Sequence, residues 1–452
     1  MTIPSRAAEH LPHAPQQFAP EGRTWRSTVH AALRRRPLSL LWVRDTESFA
    51  RRWPGKLLVA VLLLALPVVV LQLSLSSGGY ADIWPAPLMA VALAVAYLIS
   101  RRLVLTVAVS ALVVGVSSVL LAPTLSASGT GDPVLLDQLK AEQVMGALNG
   151  FENIAVAQID LDAPQTVRLA GFGAAETTRM EAGSLTKAMT GLVIADAVAR
   201  GEVELDAPVS RYLPDLIGSA AGEATLQELV THTAGYADFG SSTEQRAAWS
   251  APLGLNFLTT NAEQMTEEIR EQNLVGRGSW SYSNLGAATA GQAVAAATGM
   301  SYSELMRTRL FEPLKMNDTA IQDHEALVPG GKSQSGLVVH PWVINAYAPS
   351  GAAVTTTKDL ARLATALLDG SAPGMAALDP TTATGVDVDM GVFWLISTSP
   401  DGQAVTWHTG ETGGYSSYFA LDRTNNKAVI VLSDVVTQGT ATLGTRLLTA
   451  NG

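Results

Sequence analysis

Three uncharged apolar runs stand in the first 122 residues of this 452-residue chain, at residues 57–75, 83–100 and 103–122. The first reads LLVAVLLLALPVVVLQLSL. Runs of this length suit helices that cross ~30 Å of hydrocarbon. A buried core helix is disfavoured by Pro67, Pro85 and Pro87. A cleaved leader would begin close to the N-terminus, whereas 56 largely polar residues come first. The pattern predicts three membrane spans.

Basic residues set their direction. Residues 1–56 carry ten Arg and Lys against four acids, a net +6, while the remainder carries 20 basic and 36 acidic residues, a net −16. Positive segments stay inside, so the head is expected in the cytoplasm, Arg101 and Arg102 at the second inner turn, and everything beyond residue 122 outside. The arginines of the head read as anchors at lipid headgroups, not as a nucleic-acid surface. The chain has no cysteine, which removes disulfides, thiol nucleophiles and cysteine metal sites.

A Ser/Gly/Thr-rich linker is read at 123–135, followed by a globular domain at 136–452. Residues 153–159 (NIAVAQI) and 166–172 (TVRLAGF) have the composition of a hairpin, as do SSYFALD and KAVIVLSD on either side of RTNN near the C-terminus. Helices are expected from Ser184 to Arg200 and from Ala287 to Thr298, each ended by a glycine. Strands at both ends of the domain with helices between predict an α+β fold: an antiparallel sheet flanked by helices, with a mostly helical insert, preceded by the three transmembrane helices. The run AEQMTEEIREQ at 262–272 reads as a solvated helix face.

Ser184 opens its helix directly after Gly183, and Lys187 lies one turn on, sharing a face with it. A buried amine near the positive end of a helix loses proton affinity through desolvation and like charge, as a base for the serine must. A cap serine beside an exposed lysine would have the same spelling. Tyr282 and Asn284 form the sole Tyr-x-Asn of the chain, a phenol able to pass a proton and an amide able to hold a substrate. His408, Thr409 and Gly410 end a strand before a glycine-rich turn, where a substrate backbone could lie.

Taken in order, Ser184-x-x-Lys187, Tyr282-x-Asn284 and His408-Thr409-Gly410 resemble the active-site serine penicillin-recognising family, which includes class C β-lactamases, D,D-peptidases and related esterases. GEVELDAPVSRYLPDL at 201–216, LQELVTHTAGY at 226–236, TGMSYSELMRTRLFEPLKMNDT at 298–319 and APSGAAVTTTKDLARL at 348–363 also look like family segments. The resemblance implies a β-lactamase/transpeptidase-like fold and a serine hydrolase working through an acyl-enzyme. It makes Ser184 the nucleophile, Lys187 its base and Tyr282 the proton shuttle, with Asn284, His408, Thr409 and Gly410 contacting substrate. The backbone N–H groups of Ser184 and Glu411 would form the oxyanion hole.

The family's lactamases carry lysine where His408 stands. A histidine of ordinary pKa, about 6.5, is mostly neutral at pH 7, so a substrate carboxylate is attracted less, and more strongly as pH falls through that value. A small ester, a D-amino-acid peptide or amide, or a peptidoglycan-related molecule is therefore the expected substrate. The alternatives are a β-lactamase proper and a sensor that stays acylated. No cofactor is implied. His232 reads as structural, His324 and His340 as lone loop residues without metal-ligand spacing, and the glycines at 410, 413 and 414 as a strand turn rather than a phosphate loop.

Overall fold

The computed structural model describes residues 123–323, 327–383, 388–399 and 402–449. The basic segment at 1–56 that is expected in the cytoplasm, the three expected spans and His324 lie outside the described residues. Among the described residues no helix is long and apolar enough to cross a membrane.

Among the described residues, twelve strands form two sheets. The large one contains Gly129–Gly131 (β1), Ile154–Asp160 (β2), Val167–Phe172 (β3), Thr382–Ala383 (β7), Val388–Met390 (β8), Leu395–Thr398 (β9), Ala404–Glu411 (β10), Ser416–Asp422 (β11) and Lys427–Ser433 (β12). Their order is β1-β3-β2-β12-β11-β10-β9-β8-β7, antiparallel throughout, so the expected N- and C-terminal hairpins meet at the centre through β2 and β12. The small sheet joins Met180–Glu181 (β4), Ala320–Ile321 (β5) and Ala353–Thr355 (β6) in the order β4-β6-β5.

The helices that matter to the site are Pro133–Val144 (α1), Leu185–Ala199 (α2), Ala262–Arg270 (α3), Asn284–Thr298 (α4), Ala348–Gly351 (α5), Thr357–Leu368 (α6) and Gly439–Thr449 (α7). The central strands are apolar on both faces because both are covered. Ala155, Ala157, Ile159, Ala428, Ile430 and Leu432 face the large core shared with α2, α4 and α6, while Ile154, Val156, Val429 and Val431 face a second core with Leu135, Leu139, Leu443 and Leu447 from α1 and α7. This accounts for strands that read as continuous apolar runs instead of an alternation.

Three expectations are corrected. The stretch read as a linker is stitched into the sheet: the Ser126 N–H donates to Glu152 O at 2.8 Å, β1 pairs with β3, and Asp132 caps α1 by accepting from the N–H groups of Val134 and Leu135 at 3.0 Å each. Strand pairing there uses backbone alone, which a Gly/Ser/Thr composition does not advertise. The helix expected from Ala287 begins at Asn284, because Ser283 is its N-cap and accepts from the Gly286 N–H at 2.8 Å. The run at 262–272 is not simply a solvated face. Glu268 is buried, accepting from the Thr243 N–H and from the hydroxyls of Thr243 and Tyr347 at 2.8 to 2.9 Å, and Met265 and Ile269 join the core.

Helix α2 is the hub, with twelve of its fifteen residues buried, so it is covered nearly all round. Close approach is possible because of small residues: a Cβ on Gly191 would fall 2.0 Å from the carbonyl oxygen of Val392. Helix propensity alone would have Gly191→Ala stabilise the protein by ~1 kcal/mol. Overpacking against backbone predicts the reverse, a loss of about 1–3 kcal/mol. A thermal melt decides the sign: the expected result is a lower Tm, and an unchanged or raised Tm would refute the tight contact.

Candidate active site

The strand β4 leads into the site. Its successor Ala182 donates its N–H to Ala353 O at 2.8 Å, and the Ala182 carbonyl accepts the Ser417 hydroxyl at 2.8 Å, tying the start of α2 to both sheets. Gly183 then turns with φ +54°, a left-handed conformation that glycine adopts freely. A Cβ there would lie 2.6 Å from the Glu411 nitrogen, and one on Gly410 would lie 1.9 Å from Ala182 O. Both positions must be side-chain-free for Ser184 to reach the end of β10.

Ser184 occupies the N-cap position of α2, yet its hydroxyl caps nothing in its own helix. The Tyr282 hydroxyl donates to its Oγ at 2.7 Å, and Lys187 Nζ lies 3.0 Å from the same atom. Lys187 is fully buried, which settles the question left by the sequence between an exposed lysine and an internal one. Burial pulls its pKa down to about 7, partly offset by the negative charge of Asp238. The other two neighbours of Nζ are the Asn284 Oδ1 at 2.6 Å and the Ser350 carbonyl oxygen at 2.7 Å. Both can only accept. A neutral amine has two N–H groups and one lone pair, so two acceptors use up the N–H groups and leave the lone pair for the Ser184 hydroxyl proton.

Tyr282 is held from behind by His232. The rings lie 4.7 Å apart, the Ser281 N–H donates to His232 O at 2.8 Å, and the Ser283 N–H donates to His232 Nδ1 at 3.2 Å. That nitrogen is therefore unprotonated, in keeping with a pKa pushed well below the usual histidine value by burial and by Lys187. Burial likewise raises the pKa of the Tyr282 phenol, with the charges of Asp238 and Glu411 adding to it, so the group stays a donor. Asn284, the first residue of α4, gives both its backbone N–H and its Nδ2 to Asp238 Oδ1, at 3.1 and 2.8 Å.

His408 is buried on β10, and its Nδ1 donates to the Thr409 carbonyl, leaving Nε2 as an acceptor. Its pKa is brought down to about 4, first by burial and then by Lys187. The expected gain for carboxylate substrates on acidification through about 6.5 is thus corrected: the ring stays neutral through that range. Strand β9 pairs with β10 only from Ala404 to Trp407, while β11 continues along it to Glu411. Residues 408–411 consequently have no β9 partner on that side, and the backbone edge anticipated from the sequence is present. Glu411 ends the strand exposed, with Gln438 donating to its carboxylate.

The geometry brings together Ser184, Lys187, Tyr282 and Asn284 by direct hydrogen bonds, with His408, Thr409, Gly410 and Glu411 on the adjoining strand end. It adds Asp238 and the Ser350 carbonyl. Neither has a motif: Asp238 stands in YADFG after the family-like THTAG, and Ser350 contributes an atom that any residue would supply. Chemically, the arrangement can take a proton from a serine hydroxyl and return one from a phenol.

A sequence profile of the beta-lactamase family matches residues 149–449. The beta-lactamase of Escherichia coli (strain K12) is 26% identical over 197 residues, covering 41% of this chain and 47% of that protein. Penicillin-binding protein 4* of Bacillus subtilis (strain 168) is 25% identical over 302 residues, covering 58% of this chain and 64% of that protein. The chain thus spans about half to two thirds of the length of these relatives. The crystal structure of a class C beta lactamase from Rhodobacter sphaeroides superposes with a TM-score of 0.57 at 19% identity, covering 69% of this chain and 98% of that one, a likeness of fold.

A lysine that ionises near pH 7 gives a base whose active form is lost below that value. The kcat/KM for p-nitrophenyl acetate, measured from pH 5 to 9, is expected to rise about tenfold per pH unit below pH 7 and then level off. Lys187→Arg, permanently charged, is expected to lose activity across the whole range. A flat profile would exclude Lys187 as the base.

Proposed function

The chain belongs to the beta-lactamase family, and from that premise we propose that it is a serine hydrolase that cleaves a small ester, or a peptide or amide bearing a D-residue, through an acyl-enzyme on Ser184. In this reading Oγ attacks the substrate carbonyl as its proton passes to Lys187. The oxyanion is met by the N–H groups of Ser184 and Glu411. Collapse of the tetrahedral intermediate expels the leaving group with a proton from Tyr282, and the phenol is restored by the proton held on Lys187. A water molecule then repeats the sequence on the ester, giving the acid and free Ser184.

The observation that carries the reading is the Lys187 amine between two carbonyl acceptors, with Ser184 Oγ 3.0 Å from it. Preference against β-lactams rests on His408. A neutral imidazole supplies no positive charge for a carboxylate, so penicillins lose the attraction that a lysine there would offer. The three apolar runs support a second element of the proposal: the hydrolase is tethered at the outer face of the cytoplasmic membrane, within reach of peptidoglycan-derived substrates.

Two measurements test it. Across a penicillin, a short acyl ester and an acyl-D-Ala-D-Ala peptide, kcat/KM is expected to be lowest for the penicillin, and Ser184→Ala should remove ~10³ or more of every activity. Penicillin turnover equal to ester turnover would make the protein a β-lactamase proper, and stoichiometric acylation without turnover would make it a sensor. For topology, a reporter that fluoresces only in the cytoplasm, fused after Gly452, should stay dark. A bright fusion would place the domain inside and remove peptidoglycan from the candidates.

A further inference from the structure

Asn284 can serve Lys187 only in one of its two amide orientations. With Oδ1 toward Nζ, the amide accepts an N–H of the lysine; turned over, its Nδ2 would compete for the lysine lone pair. Asp238 decides between them. Its carboxylate accepts and cannot donate, and its Oδ1 takes both the Asn284 Nδ2, at 2.8 Å, and the Asn284 backbone N–H, at 3.1 Å. That backbone N–H belongs to the first turn of α4, where donors lack helical partners and a negative charge is favourable. One carboxylate oxygen thus fixes the helix start and the amide orientation together.

We propose that Asp238 is a positioning residue for the reaction, holding Asn284 with its carbonyl toward Lys187 so that the amine keeps its lone pair on Ser184, and supplying a negative charge to that amine. The inference rests on the assignment of Lys187 as base. The groups facing Lys187 are Ser184 on its own helix, Tyr282 and Asn284 at the head of α4, the Ser350 carbonyl from α5, His232 and Asp238 from the segment before α3, and His408 from β10. Glu411 acts on Tyr282. Both histidines are driven toward neutrality, His232 by its buried Nδ1 acceptor role and His408 with a pKa of about 4, so above pH 5 the carboxylate of Asp238 is the charge that favours protonated Lys187.

Removal of that charge makes the lysine easier to deprotonate. With p-nitrophenyl acetate as probe, Asp238→Asn is expected to move the acid limb of the kcat/KM profile down by about half a pH unit, a modest shift because Asp238 is exposed and screened. Relative to its own plateau, the variant then gains roughly threefold at pH 6. Asp238→Ala should show the same displacement and also a plateau lowered about tenfold in kcat, since alanine leaves Asn284 without its acceptor. A limb that stays in place, moves up, or is merely scaled down at every pH would overturn the proposal, as would an effect confined to KM. A wild-type profile with no ionisation near pH 7 would instead remove Lys187 as base and the inference with it.

Discussion

A primary amine enclosed on every side is the constraint around which the rest of the molecule is arranged. An ammonium group in an apolar interior costs several kcal/mol, and Lys187 projects from a helix that the core surrounds. Among the described residues the protein answers with three oxygens and no counter-ion in contact: a hydroxyl, an amide carbonyl and a backbone carbonyl. This set suits the neutral amine. Close approach of α4 and α5 to α2 is what delivers two of the three, and the alanines and glycines of α4 permit it. A Cβ on Gly291, for instance, would fall 2.3 Å from Pro349, the neighbour of the residue whose carbonyl Lys187 uses.

The same burial acts on every titratable group near Ser184. It pushes the phenol of Tyr282 up and the imidazoles of His232 and His408 down, so these three are held uncharged near neutral pH, while Lys187 is brought to about 7. The formal charges stand at the margin, on Asp238 and Glu411. Such a site stabilises developing charge with fixed dipoles that need little reorganisation, and a carboxylate brought to the strand end finds a neutral imidazole at His408. Fixing those dipoles is the work of residues that never meet the substrate, such as His232 beneath Tyr282.

Much of this was legible in the sequence, and the reason is chemical. Ser184 with Lys187, and Tyr282 with Asn284, depend on side-chain identity at spacings set by a helix, so they leave a spelling. The two hairpins did so through their apolar runs. What escaped depends on tertiary context. Residues 129–131 pair through backbone groups that a glycine-rich stretch carries as well as any other, and a linker was read there. Glu268 belongs to a polar run whose buried face is set by Thr243 and Tyr347, far away in sequence. Ser350 offers only its carbonyl. The identity of His408 was visible, but its state of charge belongs to the fold, since an exposed histidine and one buried within the field of Lys187 look alike on paper.

The stitching of the chain into the sheet at Ser126 sets the length of the leash. Only residues 123–125 separate that first hydrogen bond from residue 122, and three residues reach at most ~10 Å. If residues 103–122 span a membrane, as proposed, the domain would have almost no freedom to travel: its sheet would ride close to the bilayer, β1 would bear any pull directly, and the site would sample a thin shell of space rather than a deep one. Substrates would have to come to it. A hydrolase held this way is suited to fragments that diffuse to the membrane surface, and poorly suited to reaching a polymer anchored far above it.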